Sequence, residues 1–336
     1  MFKKAVKSII VGAAISSAAL LPSTSWADIK ELNFGIISTE SSQNLRKTWT
    51  PFLEDMGNKL GVKMNAYFAP DYAGIIQGMR FDKVDVAWYG NKSAMEAVDR
   101  AGGEIFAQTV DVEGNPGYWS LLVTHKDSEI NNVDDMLKNA GNLTLGNGDP
   151  NSTSGFLVPS YYVFAKNNVD PKKAFKRVLN SNHQTNLLAA ANKQVDIATN
   201  NTENLRRLEE THPDKVKNIK VIWKSPLIPS DPIVWRKNLD EGLKQNIYDF
   251  FMTYGLNDDA EKSILASLQW APFTASSDDQ LIPIRQLVLF KERVKIESDN
   301  KLSATERKQK LAEIDQQLNV LNRRSAALQA FSAKNS

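Results

Sequence analysis

Between Glu31 and Trp223 the chain alternates short runs of buried-strand character with longer amphipathic stretches, and this alternation restricts the fold more than any other feature. Residues 32–37, 62–68, 84–88 and 105–110 read as strands, and residues 48–60, 71–79 and 93–101 separate them as helices. The first of these helices closes at Gly61, a residue suited to a helix C-terminus. Strands joined by helices must cross over, so the sheet is mostly parallel and covered on both faces. Residues 133–138, 156–166, 185–192 and 203–211 repeat the helical pattern, around strands at 143–145, 195–198 and 219–223. The run Lys83-Val84-Asp85-Val86-Ala87 is echoed by Gln194-Val195-Asp196-Ile197-Ala198. Two similarly built α/β lobes are expected, with lobe 1 formed by residues 28–125 and 231–285 and lobe 2 by residues 126–230.

Within lobe 2 the stretch Gly146-Asn147-Gly148-Asp149-Pro150-Asn151-Ser152-Thr153-Ser154-Gly155 leaves a strand and enters an apolar helical run. Glycines and a proline turn the backbone, and three hydroxyl residues stand where the helix begins. A helix start offers unpaired N–H groups and the positive end of the dipole, which suits an oxyanion. Ser152 and Thr153 also suit a plain helix cap, and both readings stand on these residues alone. Pro159 lies inside the helical run, removes a backbone donor and predicts a kink.

Lys3, Lys4 and Lys7 precede an apolar run at 9–21 and a small-residue site, Ser25-Trp26-Ala27. This is the pattern of a secretory signal peptide at residues 1–27, too short in its apolar part to span a membrane. Cleavage after Ala27 removes three lysines and no acid, so 41 Lys+Arg become 38 against 39 Asp+Glu. The basic balance belongs to the leader, and nothing in the charge points to nucleic acid. Cysteine is absent and there are three histidines, which excludes thiol chemistry and leaves no basis for a metal site or a cofactor. No P-loop or dinucleotide fingerprint occurs.

Ligands of open α/β sheets gather at the carboxyl ends of strands. Tyr72, Tyr89, Asn91 and Glu203 follow expected strands, while Tyr118 and Asp231 lie in two Pro-containing segments expected to cross between lobes. His183 falls at a helix start, where an imidazolium could pair with an anion and a neutral ring could still donate one hydrogen bond. If Glu203 and Asp231 both face a cleft, they would serve a cation. Ser152, His183 and one of these acids also suggest an exported hydrolase, although the Gly-x-Ser-x-Gly elbow is missing. After Pro283 the chain has neither Gly nor Pro, and residues 286–336 are expected to form helices. Ser303-Ala304-Thr305-Glu306 has capping-box spacing. Leu311, Ile314, Leu318, Leu321 and Leu328 then form a stripe that either packs on the parent lobe or makes a homodimer.

Several of these runs together resemble the periplasmic phosphonate-binding family of bacterial ABC transporters. The resemblance is carried by Leu32-Asn33-Phe34-Gly35-Ile36-Ile37-Ser38-Thr39-Glu40, by residues 68–79 and 84–91, and by residues 146–159, 195–204 and 223–235. It implies a two-lobed type II periplasmic-binding-protein fold with a ligand cleft between the lobes, and a permease partner in the inner membrane. It also implies that Tyr72, Tyr118, Ser152, Thr153, Ser154 and His183 hold phosphonate oxygens, that Glu203 and Asp231 hold an amine, and that the ligand is 2-aminoethylphosphonate.

Overall fold

A computed structural model describes residues 29–335; the expected leader lies outside them. Among the described residues thirteen strands form three sheets. In chain order they are β1 (Glu31–Ile36), β2 (Lys63–Tyr67), β3 (Val86–Trp88), β4 (Gly103–Asp111), β5 (Gly117–Tyr118), β6 (Ser120–His125), β7 (Thr144–Asn147), β8 (Arg177–Asn180), β9 (Ile197–Asn201), β10 (Ile219–Lys224), β11 (Ile228–Pro229), β12 (Pro232–Arg236) and β13 (Trp270–Ala275). The first sheet runs β13-β4-β12-β3-β1-β2 and the second β10-β6-β9-β7-β8. The strands followed by crossover helices pair in parallel, β1 with β2 and β3, and β7 with β8 and β9. The remaining pairs are antiparallel.

The two sheets belong to two lobes, and β5 and β11 form a two-stranded antiparallel ribbon where the chain crosses between them. The expected boundary at residue 125 falls one strand late. Ser120–His125 pairs with β9 and β10 in the second sheet, because the crossing is only two residues long and the chain runs straight on from it. The expected tail boundary at residue 285 lies inside a helix, Ile282–Glu297.

The first lobe's core centres on aromatic rings from both chain segments: Phe34, Trp49, Phe250, Phe251 and Phe273 pack around Phe52, and Trp270 packs against Trp49 and Phe273. Rings of this size bury 150–250 Å² each, so they dominate the packing. The second lobe has smaller aliphatic clusters on the two faces of its sheet. The helical run from Thr153 adopts wide, π-type turns on both sides of Pro159, where the missing N–H breaks the regular ladder.

The tail folds back as two helices, Ile282–Glu297 and Ala304–Asn335. Ser303 and Glu306 form the capping box: Glu306 N–H donates to Ser303 Oγ at 3.2 Å and Ser303 N–H to Glu306 Oε2 at 2.9 Å. Ile314 and Leu318 bury against Leu289, with Leu321 alongside. Leu328, farther along, stays exposed. Among the described residues no helix is long and apolar enough to cross a membrane.

Candidate functional site

Five helices begin around one small cavity between the lobes. Tyr72, Thr153 and His183 are the first residues of their helical segments, Glu203 is the second residue of Thr202–Thr211, and Gly90 precedes Asn91–Arg100. All five line the cavity, together with Tyr118, Ser152, Ser154 and Asp231. Each helix start follows the carboxyl end of a strand or its loop, so the alternating sequence aims these N-termini at one point. Each terminus contributes up to about half a positive charge. Anionic groups are favoured there without a fixed cation.

The hydroxyl stretch is shaped by Gly148. Its N–H donates to Gly155 O at 3.0 Å, and a Cβ at Gly148 would lie 2.6 Å from the Gly155 backbone. Only glycine lets the loop close on itself here. Ser152 caps the helical run, accepting from Gly155 N–H at 3.0 Å, while its Oγ stands 3.3 Å from His183 Nε2. Both readings of Ser152 are thus compatible: it caps the helix and still reaches the cavity. Thr153 Oγ1 accepts from the Lys92 N–H of the other lobe at 2.8 Å, and Ser154 Oγ accepts from Asn201 Nδ2 at 2.9 Å. Since a hydroxyl has one proton and two acceptor sites, Thr153 and Ser154 each keep a proton to give.

His183 is buried, and burial pulls its pKa down to about 4, so near neutral pH the ring is uncharged. Its Nδ1 has no hydrogen-bond partner. The imidazole is therefore a neutral neighbour of the hydroxyls rather than an ion-pairing cation. Burial likewise pushes the Tyr72 and Tyr118 hydroxyls well above their ordinary range, and both stay protonated.

The acids face a different task. Burial, then the charge of Asp111, raises Glu203 to about 7. Burial, then the charge of Glu203, raises Asp231 well above the carboxylate range. The Tyr118 hydroxyl donates to Asp231 Oδ1 at 2.8 Å, and Asn91 Nδ2 lies 3.4 Å from the same oxygen. Tyr118 thus donates its hydrogen bond to the acid, although the family resemblance places it among the oxyanion donors. The Trp88 indole approaches Asp231, yet its Nε1 closes no hydrogen bond and stays buried without a partner. A carboxylate whose ionisation is hindered by a neighbouring acid is relieved by a cation beside it.

Some residues of the site escaped the sequence reading. Asn201 orients Ser154, and Trp88, Thr39 and Asn204 line the cavity. Trp88 carried a signal as the last residue of a strand; the asparagines, common at helix caps, carried none. Tyr89 is not part of the site: its hydroxyl donates to Ile75 O at 3.0 Å in the first lobe's core.

The lobes meet in a closed arrangement. Tyr72 N–H donates to Asp149 Oδ2 at 3.2 Å, Gln184 N–H to Thr39 O at 3.2 Å, and Arg206 pairs with Asp111 at 2.8 Å. A hydrolase reading finds no triad. Ser152 Oγ already serves as a cap acceptor, and no acid orients the His183 ring through Nδ1. Among the described residues no cluster of three or more His, Cys, Asp or Glu could hold a metal ion.

Comparison with known proteins agrees with this geometry. A family model described as "ABC transporter, phosphonate, periplasmic substrate-binding protein" matches residues 34–281. The phosphonates-binding periplasmic protein of Escherichia coli (strain K12) is 63% identical over 317 residues, covering 94% of this chain and 93% of that one. A binding-protein component of an ABC phosphonate transporter from Pseudomonas aeruginosa superposes with a TM-score of 0.88 at 62% identity, over 90% of this chain and 100% of that one. A Prochlorococcus marinus protein solved with methylphosphonate shares the fold at a TM-score of 0.69 and 22% identity, over 77% and 97% of the two chains. These relatives are substrate-binding proteins and not enzymes.

Proposed function

This chain belongs to the periplasmic substrate-binding proteins of phosphonate ABC transporters, and from that premise we propose that it captures 2-aminoethylphosphonate and hands it to an inner-membrane permease. The observation that carries the choice of ligand is the pair Glu203 and Asp231, buried carboxyls that share a small cavity with neutral hydroxyl donors. A zwitterion satisfies both ends. Its phosphonate oxygens take protons from Ser152, Thr153, Ser154 and Tyr72, with the neutral His183 alongside. Its ammonium lies between Glu203 and Asp231, and Tyr118 holds Asp231 in place. A phosphonate without an amine leaves two buried acids without a counter-charge, which costs several-fold to many-fold in affinity.

Calorimetric titration against 2-aminoethylphosphonate, ethylphosphonate, methylphosphonate, phosphite and phosphate tests this reading. The amino ligand should bind at least ten-fold more tightly than ethylphosphonate. Equal affinity would remove the amine from the recognition. Release of the ligand unchanged after prolonged incubation separates a receptor from a hydrolase.

Two further properties belong to the same reading. Residues 1–27 are an export leader, and sequencing of exported protein should begin at Asp28; a retained Met1 would overturn this. The far half of the last helix exposes Val320, Leu328 and Phe331, apolar side chains that suit a homodimer contact. Light scattering should give a dimer that is lost on truncation after Glu297; a monomeric full-length chain would assign the tail to its own lobe.

A further inference from the structure

We propose that the Thr153 hydroxyl joins ligand binding to lobe closure, because it serves as the N-terminal cap of a helix in the opposite lobe. The helix Asn91–Arg100 begins at Gly90, whose backbone has the extended geometry of a cap residue (φ −74°, ψ 158°) but which supplies no side-chain acceptor. Most helices of the protein do have one: Ser41, Asp71, Asn132, Asn182, Asn201 and Asp240 each accept from a first-turn N–H. For Asn91–Arg100 the acceptor comes from across the cleft, with Lys92 N–H donating to Thr153 Oγ1 at 2.8 Å. Glycine eases that approach, since a Cβ at Gly90 would stand in tight contact with Thr153 Oγ1, at 3.3 Å.

The consequence follows from the valence of a hydroxyl. Thr153 can accept from Lys92 and give its one proton to a phosphonate oxygen at the same time. Hydrogen bonds in such a chain polarise and strengthen one another. The oxyanion thus improves the acceptor that holds the lobes together, and closure improves the donor that holds the oxyanion. When the lobes part, the Lys92 N–H loses this partner and must turn to water. Against a glycine cap, whose amides water still reaches in the open form, a side-chain acceptor shifts a two-state equilibrium by a factor of about 2–3. The closed state gains by that factor for any phosphonate, with or without an amine. This inference rests on the phosphonate-end assignment above but not on the amine end.

The test gives the helix a cap of its own. Gly90→Ser places an acceptor on the same lobe, stabilising the open and closed forms alike and crowding Thr153 in the closed one. In the ligand-free protein the melting temperature should rise by about 1–3 °C. Dissociation constants for methylphosphonate and 2-aminoethylphosphonate should weaken together, by about 2–10-fold from the lost cap advantage and the crowding of Thr153, chiefly through faster release. Gly90→Ala adds the bulk without the acceptor and should give no gain in melting temperature. In the unsubstituted protein, hydrogen exchange at the Lys92 amide should slow at least ten-fold on methylphosphonate binding, a readout that needs no variant. Unchanged exchange at Lys92 would overturn the proposal. So would a Gly90→Ser protein with no gain in ligand-free melting temperature, or one that weakens only the amino ligand, since the effect would then run through nearby Asp231. If the unsubstituted protein bound no phosphonate at all, the ligand assignment would fail, while the melting arm would still report on the cap.

Discussion

Replacing Glu203 by glutamine should separate amino from non-amino phosphonates. In the closed protein this carboxyl is raised from 4.5 to about 7 by burial and by the charge of Asp111. With an ammonium beside it, the ionised form is stabilised and makes a charge-assisted hydrogen bond worth about 1.5–3 kcal/mol. Removing the charge should therefore weaken 2-aminoethylphosphonate by roughly 10–150-fold. For methylphosphonate the sign reverses. Closing over Glu203 then means burying a charge or taking up a proton, and the shift from 4.5 to about 7 sets a ceiling of about 3 kcal/mol at pH 7. Residual water in the cavity lowers this, so an improvement of about 3–30-fold is expected. The pH dependence follows the same sign. The closed state binds more protons than the open one between 4.5 and about 7, so methylphosphonate affinity should fall as pH rises through that window and level off above it. The phosphonate's own ionisation is common to both proteins, and the ratio of their dissociation constants cancels it. Isothermal calorimetry between pH 5 and 8, on both ligands and both proteins, supplies every quantity. If Glu203→Gln weakens methylphosphonate as much as the amino ligand, with no pH dependence in the ratio, Glu203 is a structural acid and the argument from desolvation is wrong.

Other outcomes follow from the remaining parts of the site. Thr153→Val, which removes both a donor and the contact to Lys92, should weaken all phosphonates by a similar factor of roughly 10–100, measured by calorimetry. The His183 ring, held near 4 by burial, should remain neutral at pH 6 in the closed protein; nitrogen chemical shifts of a protonated imidazole at that pH would contradict this. Saturating 2-aminoethylphosphonate should reduce the radius of gyration in small-angle scattering, because Tyr72 and Thr153 stand on opposite lobes; an unchanged radius would count against a bridging ligand.

Much of the fold is legible in the chain because helix and strand periods differ and their ends are marked. Gly61 does close the first helix, in a left-handed conformation, and the alternation at 84–88 does become a central strand. Elements escaped where burial was partial. β8, Arg177–Asn180, is a half-exposed edge strand with no alternating pattern, and the helix Ser42–Leu60 begins ahead of the expected residue 48 with a largely polar turn. The hydroxyl cluster was visible because glycine, proline and three hydroxyl residues concentrate in ten positions. The place of Tyr118 was not, since it depends on the register of the crossing ribbon, where Tyr118 pairs with Ile228 and so comes to lie beside Asp231. No local pattern encodes a contact between residues so far apart in the chain.

The strand order of the first sheet also dictates when it can be completed. β12 lies between β3 and β4, pairing with Trp88 on one side and with Ala107 on the other through Ile233. A chain delivered N-terminus first therefore has its first four strands in hand long before the strand that joins them. Until Pro232–Arg236 arrives, β3 and β4 have no common neighbour, and Trp49 and Phe52 lack the rings of Phe250, Phe251 and Trp270. The second sheet has no such gap, as all five of its strands lie between Ser120 and Lys224. Contacts between distant residues form slowly, because loop closure must precede them. The lobe that starts the chain is thus the last to be finished, and the intervening lobe has time to form while its partner is still incomplete.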